Sequence, residues 1–240
     1  MNTFSGSECI GLGWRTFKKR PWFFIGAILL AGIAFGVASS VIGEIGKIGV
    51  ALGLLAFLAN IALQNLYGMG FTNFFLNATK SVSEVQLKDF WHPRSFWSFL
   101  GAMVLVGLCG LGAAIVAAIC GGVAALIAYF ISSGAAAVTF FVAFGICAIV
   151  ALTTVGLMFL FVRYVVIERD MGPTDAMRES IRMTRGNRWK LLWFLILCLL
   201  VNLLGLICLV VGLIVSIPVS ALAMTHAYRA LSASAPAQAA

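Results

Sequence analysis

The chain has 240 residues, of which 62% are hydrophobic and only 10% are Asp, Glu, Lys or Arg, and its mean hydropathy is +1.07. A soluble domain carries about 25% charged residues, so this composition excludes an ordinary water-soluble fold. The net charge of +8 does not indicate a nucleic-acid partner, because the basic residues collect in short connectors between apolar stretches.

Four long stretches without any charged residue locate the predicted transmembrane helices. They cover residues 21–43, 48–79, 95–162 and 191–228 and are 23, 32, 68 and 38 residues long. Since about 20 apolar residues cross a bilayer core of roughly 30 Å, they hold one, one, two and two crossings. We expect an all-α bundle of six transmembrane helices in three hairpins, forming one domain over residues 1–240. The spans are predicted at about 22–43, 48–76, 96–118, 137–162, 190–206 and 210–230.

The basic residues fix the expected orientation of this topology. Fifteen of the sixteen Lys and Arg residues fall on one side, and only Lys47 falls on the other. Basic residues are retained in the cytoplasm during insertion, so both termini are predicted to be cytoplasmic. The stretch 191–228 is short for two crossings, and a re-entrant final hairpin stays an alternative.

A short basic segment precedes each predicted hairpin and has the pattern of an amphipathic surface helix. Trp22, Trp97 and Trp189 begin the spans that follow, and an indole prefers the membrane–water interface. The unit of surface helix, basic turn, tryptophan and hairpin occurs three times. The alternative is that any loop on the cytoplasmic side collects basic and aromatic residues without forming a repeat. The surface helices are predicted at about 8–19, 83–92 and 174–185.

The cationic sides of the first and third surface helices are predicted to contact anionic lipid headgroups. Arg178, Arg182 and Arg185 share one side of the third helix, beside the apolar Met177 and Ile181. Helices of this kind lie in the headgroup plane. The alternative is that the arginines act only as topology signals. The predicted headgroup contacts are Lys18, Lys19, Arg20, Arg178, Arg182 and Arg185.

Small residues recur at every fourth position in several spans and predict helix–helix contacts. They let helix backbones approach closely, which matters because lipid gives helices no hydrophobic drive to associate. The pattern does not separate contacts within the bundle from contacts between subunits. The predicted contact positions are Gly32, Gly36, Ala113, Ala117, Gly121, Gly212 and Ser216.

Polar side chains inside the predicted spans are few. Asn60 and Gln64 lie one helical turn apart in the second span, and Asn202 lies in the fifth. Such amides usually bond to a neighbouring helix. The alternative is that these three line a path for a lipid headgroup or a small neutral solute.

No constellation of residues indicates catalysis or metal binding. Arg163 lies near enough to the predicted membrane face to snorkel, and Glu168 and Asp170 are assigned to a solvated loop. The two histidines are far apart in sequence and both lie near a predicted surface, and the six cysteines lack paired spacing. We therefore expect a non-enzymatic protein with no cofactor, no metal and no nucleic-acid partner.

The C-terminal third of the chain carries a recognisable set of residues at positions 165–170, Ala176, Ser180, 184–187, Trp189, Gly205, Gly212, Pro218 and Tyr228. With these residues it resembles a group of polytopic bacterial membrane domains. The group includes the uncharacterised DUF975-type proteins and the membrane domain fused to some glycerophosphodiester phosphodiesterases. In the fused proteins a separate soluble domain carries the catalysis, so the resemblance implies no catalytic residue here. It implies a multi-pass protein of the bacterial cytoplasmic (inner) membrane.

These patterns predict a membrane scaffold or accessory subunit. It would interact with anionic lipid and with a protein partner or a second copy of itself. The alternative is a transporter or channel for a lipid or a small neutral solute.

Overall fold

The fold is all-helical wherever the computed structural model describes the chain, at residues 5–91, 95–131, 136–207 and 211–234. Within these ranges there is no strand. A 3₁₀ turn, Leu87–Phe90, lies between the third and fourth α-helices. The α-helices are α1 (Gly6–Lys19), α2 (Pro21–Gly46), α3 (Val50–Lys80), α4 (Phe96–Ile131), α5 (Ala136–Met158), α6 (Val162–Arg169), α7 (Pro173–Thr184), α8 (Arg188–Ile207) and α9 (Val211–Ser234).

Five helical segments are long and apolar enough to cross a membrane. They are α2, α3, α4, the run Val138–Arg169 through α5 and α6, and α8. The prediction of an all-helical, multi-pass membrane protein is confirmed at this level. The second half of α9 contains His226 and Arg229, and the sixth crossing stays a prediction. Residue 92 of the predicted second surface helix and residue 210 of the predicted last span lie outside the described residues.

The fourth helix is longer than the sequence pattern indicated. The predicted span ended at 118, whereas α4 continues to Ile131 through Gly121 and Gly122. Glycine weakens helices in water because it exposes the backbone and is conformationally free. In an apolar surrounding nothing competes for the backbone hydrogen bonds, so two adjacent glycines do not end the helix.

The segment after the fourth predicted span is a packed helix and not a solvated loop. Val165, Val166 and Ile167 of α6 are buried. The loop was predicted from the charged Glu168 and Asp170 that follow them. The helix ends at Asp170, whose φ of 50° is left-handed. The Asp170 carboxylate accepts a hydrogen bond from the buried Ser95 hydroxyl at the start of α4.

A buried serine of α7 holds the break between α5 and α6. The Ser180 hydroxyl donates to the Met158 carbonyl at 2.8 Å and accepts from the Phe161 N–H at 3.3 Å. These bonds satisfy backbone groups that the interrupted helix leaves without partners. The predicted third surface helix is therefore partly buried, with one face against the bundle.

The predicted second surface helix is mostly irregular. Its helical part is the 3₁₀ turn Leu87–Phe90, closed by Gln86 and Asp89, whose side chains and backbones bond reciprocally. The turn packs against α3 at Gly70, where an added Cβ would collide with the Phe90 carbonyl. The serine-based capping pattern near residue 83 is not used to start a helix.

The ends of the bundle differ in charge, and we call them the basic end and the far end. At the basic end, Arg20 donates to the carbonyls of Val82 and Ser83, and Arg229 donates to the Leu76 carbonyl of α3. The far end carries the turn from α2 to α3, where Lys47 pairs with Glu44 at 2.6 Å. The half of the bundle next to each end is called the basic half and the far half.

Most of the hydrophobic core lies in the basic half. It combines the end of α3, the start of α4, all of α6, the start of α8 and the second half of α9. An aromatic cluster fills one side, with ring centroids 6.0 Å apart for Phe24 and Phe74, and 4.5 Å apart for Phe74 and Phe90. Aromatic pairs at such distances add to the stabilisation that comes from burial alone.

The first helix is also part of this packed half. Gly13 of α1 lies so close to α9 that an added Cβ would be 2.8 Å from the Val219 carbonyl oxygen and 2.9 Å from the Ala223 nitrogen. Cys9 and Phe17 are buried on the same helix. Its predicted amphipathic character is therefore used for packing as well as for contact with the surroundings.

Candidate functional site

A groove in the basic half is the best-formed concave site among the described residues. It has a volume of about 510 Å³ and lies between α3, α4, α5, α6, α8 and α9. This volume is within the roughly 300–1,000 Å³ typical of small-molecule sites. Its polar lining residues are Thr72, Arg163, Tyr164, Asn202 and Ser220, and its apolar wall includes Phe71, Met103, Val106, Gly156 and Phe159.

A second depression is larger but shallower. It has a volume of about 650 Å³, is wider open, and is lined by Ser5 and Gly6 of the N-terminal region with Trp189 and Trp193 of α8. It adjoins residues 1–4, which lie outside the described part of the chain. The groove is therefore the stronger candidate.

Among the described residues, Arg163 is the only charged one that lines the groove. Its side chain is exposed, and among the described residues none forms an ion pair or hydrogen bond with its guanidinium. It lies about 9 Å before the end of α6, since six residues at about 1.5 Å each separate it from Arg169. An arginine is always charged, and a charge in a membrane segment is costly without water, a headgroup or a counter-charge.

Asn202 joins α8 to α9 at the deeper part of the groove. Its Nδ2 donates to the Cys198 carbonyl at 2.8 Å and to Ser220 Oγ at 3.0 Å. Its Oδ1 accepts from the Ser216 hydroxyl at 2.8 Å. The predicted structural role of this amide, a bond to a neighbouring helix, matches these contacts.

The other two members of the predicted polar path lie outside the groove. Asn60 accepts a 2.7 Å hydrogen bond from the Ser39 hydroxyl and so joins α2 to α3. Gln64 is exposed on α3. The structure therefore does not bring Asn60, Gln64 and Asn202 together.

A buried carboxylate at the basic end ties α7 to α6 and α9. Glu179 is only 8% exposed, and its Oε1 accepts from Arg169 at 2.9 Å and from Arg182 at 2.8 Å. Arg169 also donates to the Ser232 hydroxyl at 2.7 Å. Two charge-assisted bonds compensate the desolvation of this carboxylate, so the group orders the helix ends.

A second carboxylate joins α6 to α3 and α9. Glu168 lies 3.4 Å from Lys80 Nζ and 4.0 Å from Arg229 Nη2. Arg229 also donates to the backbone carbonyls of Leu76 and Thr79, at 2.9 and 3.3 Å. Most acidic groups of the basic end are therefore engaged in packing and not in a cavity.

The three arginines that were predicted to face lipid on α7 have different surroundings. Arg178 is 83% exposed, and its distance of 3.9 Å from Asp175 is long for an ion pair. Arg185 is also exposed. Arg182 is half-buried and turned towards Glu179. The spacing of three residues between Glu179 and Arg182 already allowed this pair. It could not show the second partner of Glu179, because Arg169 belongs to another helix.

The predicted cations of α1 and α2 lie at the surface of the basic end. Lys18 Nζ is 5.0 Å from the Trp14 ring centroid, and the Arg20 guanidinium is 4.6 Å from the Phe23 ring centroid. Lys19 is exposed. All three remain accessible to a headgroup.

The small-residue positions divide into contacts and open sites. Ala117 is buried and Gly121 packs on Phe144, with an added Cβ 2.9 Å from that residue's Cβ, so this part of the stripe faces α5. Gly32 and Gly36 have no heavy atom within 4 Å of an added Cβ. Gly32 and Gly36 therefore face the surroundings of the bundle. Ala113 is half-buried, one helical turn before Ala117.

The helices α8 and α9 approach most closely at two glycines. An added Cβ on Gly205 would lie 2.9 Å from the Gly212 carbonyl carbon and 2.6 Å from Ser216 Oγ. Gly212 meets Gly205 at backbone contact in the same way. The predicted contact role of Gly212 and Ser216 is consistent with this geometry. The similar role of Gly13 gave no comparable signal, because the three glycines of α1 do not recur at every fourth position.

Two observations concern nucleophilic and metal chemistry among the described residues. Burial, with a smaller effect of Glu8, raises the pKa of the Cys9 thiol to about 11, so it is protonated at neutral pH. No group of three His, Cys, Asp or Glu residues in the described part of the chain is arranged to hold a metal ion.

Comparison with known proteins gives one match. A family model described as "Protein of unknown function (DUF975)" matches residues 13–235. No curated protein and no solved structure matches the chain. The match confirms the resemblance to the DUF975-type proteins. The likeness to the phosphodiesterase membrane domain stays a prediction.

Proposed function

The chain belongs to the DUF975 family, whose function is unknown, and we propose that it is a non-enzymatic membrane scaffold or accessory subunit. In this proposal it binds anionic lipid at its basic end and a protein partner along its apolar helices. It resides in the bacterial inner membrane with six crossings and with both termini in the cytoplasm.

The observation that carries the proposal is the division of the surface between the two halves. In the far half, large apolar side chains such as Ile33, Leu54, Ile115 and Ile149 are each more than 60% exposed. Apolar patches of this extent occur on soluble proteins only at interaction sites. In a bilayer, lipid covers them, and they leave wide faces on which helices of another protein can pack.

The arrangement of α8 and α9 supports a sixth crossing. Gly205 and Gly212 bring the two helices into backbone contact on either side of a short connection, and Asn202 bonds Ser216 and Ser220 farther along. Helices that are paired in this way cross the same layer. If α8 crosses the membrane, α9 returns through it, and the C-terminus lies on the same side as the start of α8.

The exposed cations of the basic end support the lipid part of the proposal. Lys18, Lys19, Arg178 and Arg185 are accessible there. Each cation near an anionic membrane surface contributes about 1 kcal/mol. Trp22, Trp97 and Trp189 are each at least 80% exposed at the starts of α2, α4 and α8, as expected for an interfacial belt.

Purification in native lipid particles, without detergent extraction of lipid, tests the proposal. Mass spectrometry of the particles is expected to find enrichment of anionic over zwitterionic lipid and a stoichiometric protein partner, and a reconstituted vesicle is expected to show no solute flux. Unenriched lipid with no partner would contradict the scaffold. Flux of a lipid or a small neutral solute would favour the transporter instead, although Asn60 and Gln64 lie outside the groove.

A further inference from the structure

We propose that the groove around Arg163 binds one anionic phospholipid molecule. The phosphate lies on the Arg163 guanidinium, a glycerol ester carbonyl lies near Ser220, and an acyl chain follows the apolar wall at Val106 and Gly156. The site rests on the proposed function, because it identifies the lipid class and one specific place where it is held.

The charge of the groove selects the headgroup. Arg163 is its only charged lining residue, and among the described residues none supplies a counter-charge. A guanidinium binds phosphate with two parallel hydrogen bonds, and it loses less hydration than an ammonium group does. Elsewhere at the basic end, Lys80 is paired with Glu168, and Arg169 and Arg182 are paired with Glu179.

Polar groups deeper in the groove fit the ester region of a phospholipid. Ser220 Oγ accepts from Asn202, but its own hydroxyl hydrogen has no acceptor among the described residues. It is therefore able to donate to an ester carbonyl. Thr72 uses its hydroxyl hydrogen for the Gly68 carbonyl at 2.8 Å and offers only an acceptor.

The groove is open on the side where a lipid would enter. Gly156 lines it, is exposed, and has no heavy atom within 4 Å of an added Cβ. Arg163, seven residues later in the chain, is exposed as well. Apart from its polar residues, the groove of about 510 Å³ has an apolar lining. This lining suits part of an acyl chain and not a free inorganic anion.

Native mass spectrometry of the full chain in mild detergent tests the site. Phosphatidylglycerol and phosphatidylcholine are titrated separately, and the affinity of the first lipid adduct is measured. Phosphatidylglycerol is expected to bind with one-to-one stoichiometry, about tenfold tighter than phosphatidylcholine. Both lipids carry the phosphate, so the factor comes from the headgroup beyond it: the trimethylammonium of phosphatidylcholine brings a positive charge close to Arg163, whereas the glycerol of phosphatidylglycerol does not. Equal affinity for the two lipids, or displacement of phosphatidylglycerol by an equal concentration of inorganic phosphate, would overturn the proposal.

Two substitutions address the two parts of the site. Arg163→Gln is expected to weaken the phosphatidylglycerol adduct about tenfold, and Arg163→Lys is expected to retain part of that affinity. Gly156→Leu is expected to fill the groove and weaken the adduct without a clash, whereas Gly112→Leu, at an open position of α4 outside the groove, leaves it unchanged. The thermal stability of each variant shows whether it is folded.

A surface control separates this site from the proposed function. The combined variant Lys18→Gln, Lys19→Gln, Arg178→Gln and Arg185→Gln is expected to lose general enrichment of anionic lipid while it keeps the first tight adduct. If Arg163→Gln and Gly156→Leu both keep the adduct while the combined variant loses enrichment, the groove site is wrong and the proposed function stands. If no variant changes anything, both are wrong.

Discussion

The basic half and the far half of the molecule are held together by different forces. In the basic half, Phe161 and Tyr228 are fully buried where the ends of several helices meet α6, and Phe74 is fully buried in the neighbouring aromatic cluster. In the far half, α2 packs mainly on α3 and α4 mainly on α5, and side chains such as Ile33 face outwards. The basic half therefore has a core of the kind found in soluble proteins, whereas the far half depends on lipid and on a few close backbone contacts.

The largest effect is expected from the aromatic core of the basic half. Phe74→Ala removes a fully buried ring that contacts Phe24, Phe75 and Phe90, and it should destabilise the protein by about 3–5 kcal/mol. Thermal unfolding in detergent measures the loss. Phe141→Ala in the far half, where the ring is 70% exposed, should change stability little. Equal losses from the two variants would contradict the comparison.

The next effect concerns the ion pairs at the two ends. Glu179→Gln leaves Arg169 and Arg182 partly uncompensated in a buried setting and should cost about 2 kcal/mol. The matched control is Glu44→Gln at the far end, where both partners of the Glu44–Lys47 pair are 72% exposed, and the cost should be below about 1 kcal/mol. Chemical unfolding compares them. A larger loss for Glu44→Gln would mean that the far end is the better ordered.

The stripe of small residues on α4 tests the contacts that the far half does have. Ala117→Leu should overpack the interface with α5 and cost about 1–3 kcal/mol, because Ala117 is buried there. Ala118→Leu, at the next position and exposed, is the control. Thermal stability and size-exclusion profile are measured for both. Unchanged values for Ala117→Leu would show that this face of α4 is not fixed against α5.

The smallest effect separates the surface cations from the structural ones. Arg178→Gln with Arg185→Gln should lower the fraction of anionic lipid that copurifies, since each cation contributes about 1 kcal/mol, and should leave the unfolding temperature unchanged. Arg182→Gln should instead lower the unfolding temperature, because Arg182 bonds the buried Glu179. Lipid analysis and thermal unfolding are read on the same samples. The reverse assignment would show that exposure does not separate the two roles.

The sequence predicted those features that depend on local composition. Charge-free stretches located α2, α3, α8 and the starts of α4 and α5, because membrane crossing requires only a run of apolar residues. The end of α4 was missed, since two glycines are a poor stop signal in an apolar helix. The helix α6 was missed because Arg163, Glu168 and Arg169 surround its buried Val165 and Val166.

The site was less predictable than the fold, because its contacts join distant parts of the chain. Asn202 was recognised as a polar residue, but its neighbours Ser216 and Ser220 follow only from the pairing of α8 with α9. Arg163 was assigned to the membrane face on its distance from the end of a span. Its position in the groove depends on α3, α4, α8 and α9 together, which no local pattern encodes.

The central claim is that the packed, basic half lies on the cytoplasmic side of a six-crossing bundle. Reporter fusions test it most directly, with alkaline phosphatase and a fluorescent protein fused in turn to each terminus and to the Gly46–Lys47 turn. We expect fluorescence from both termini and phosphatase activity in intact cells only from the turn. Phosphatase activity at the C-terminus would contradict the sixth crossing, and activity at the N-terminus would reverse the assignment of the two halves.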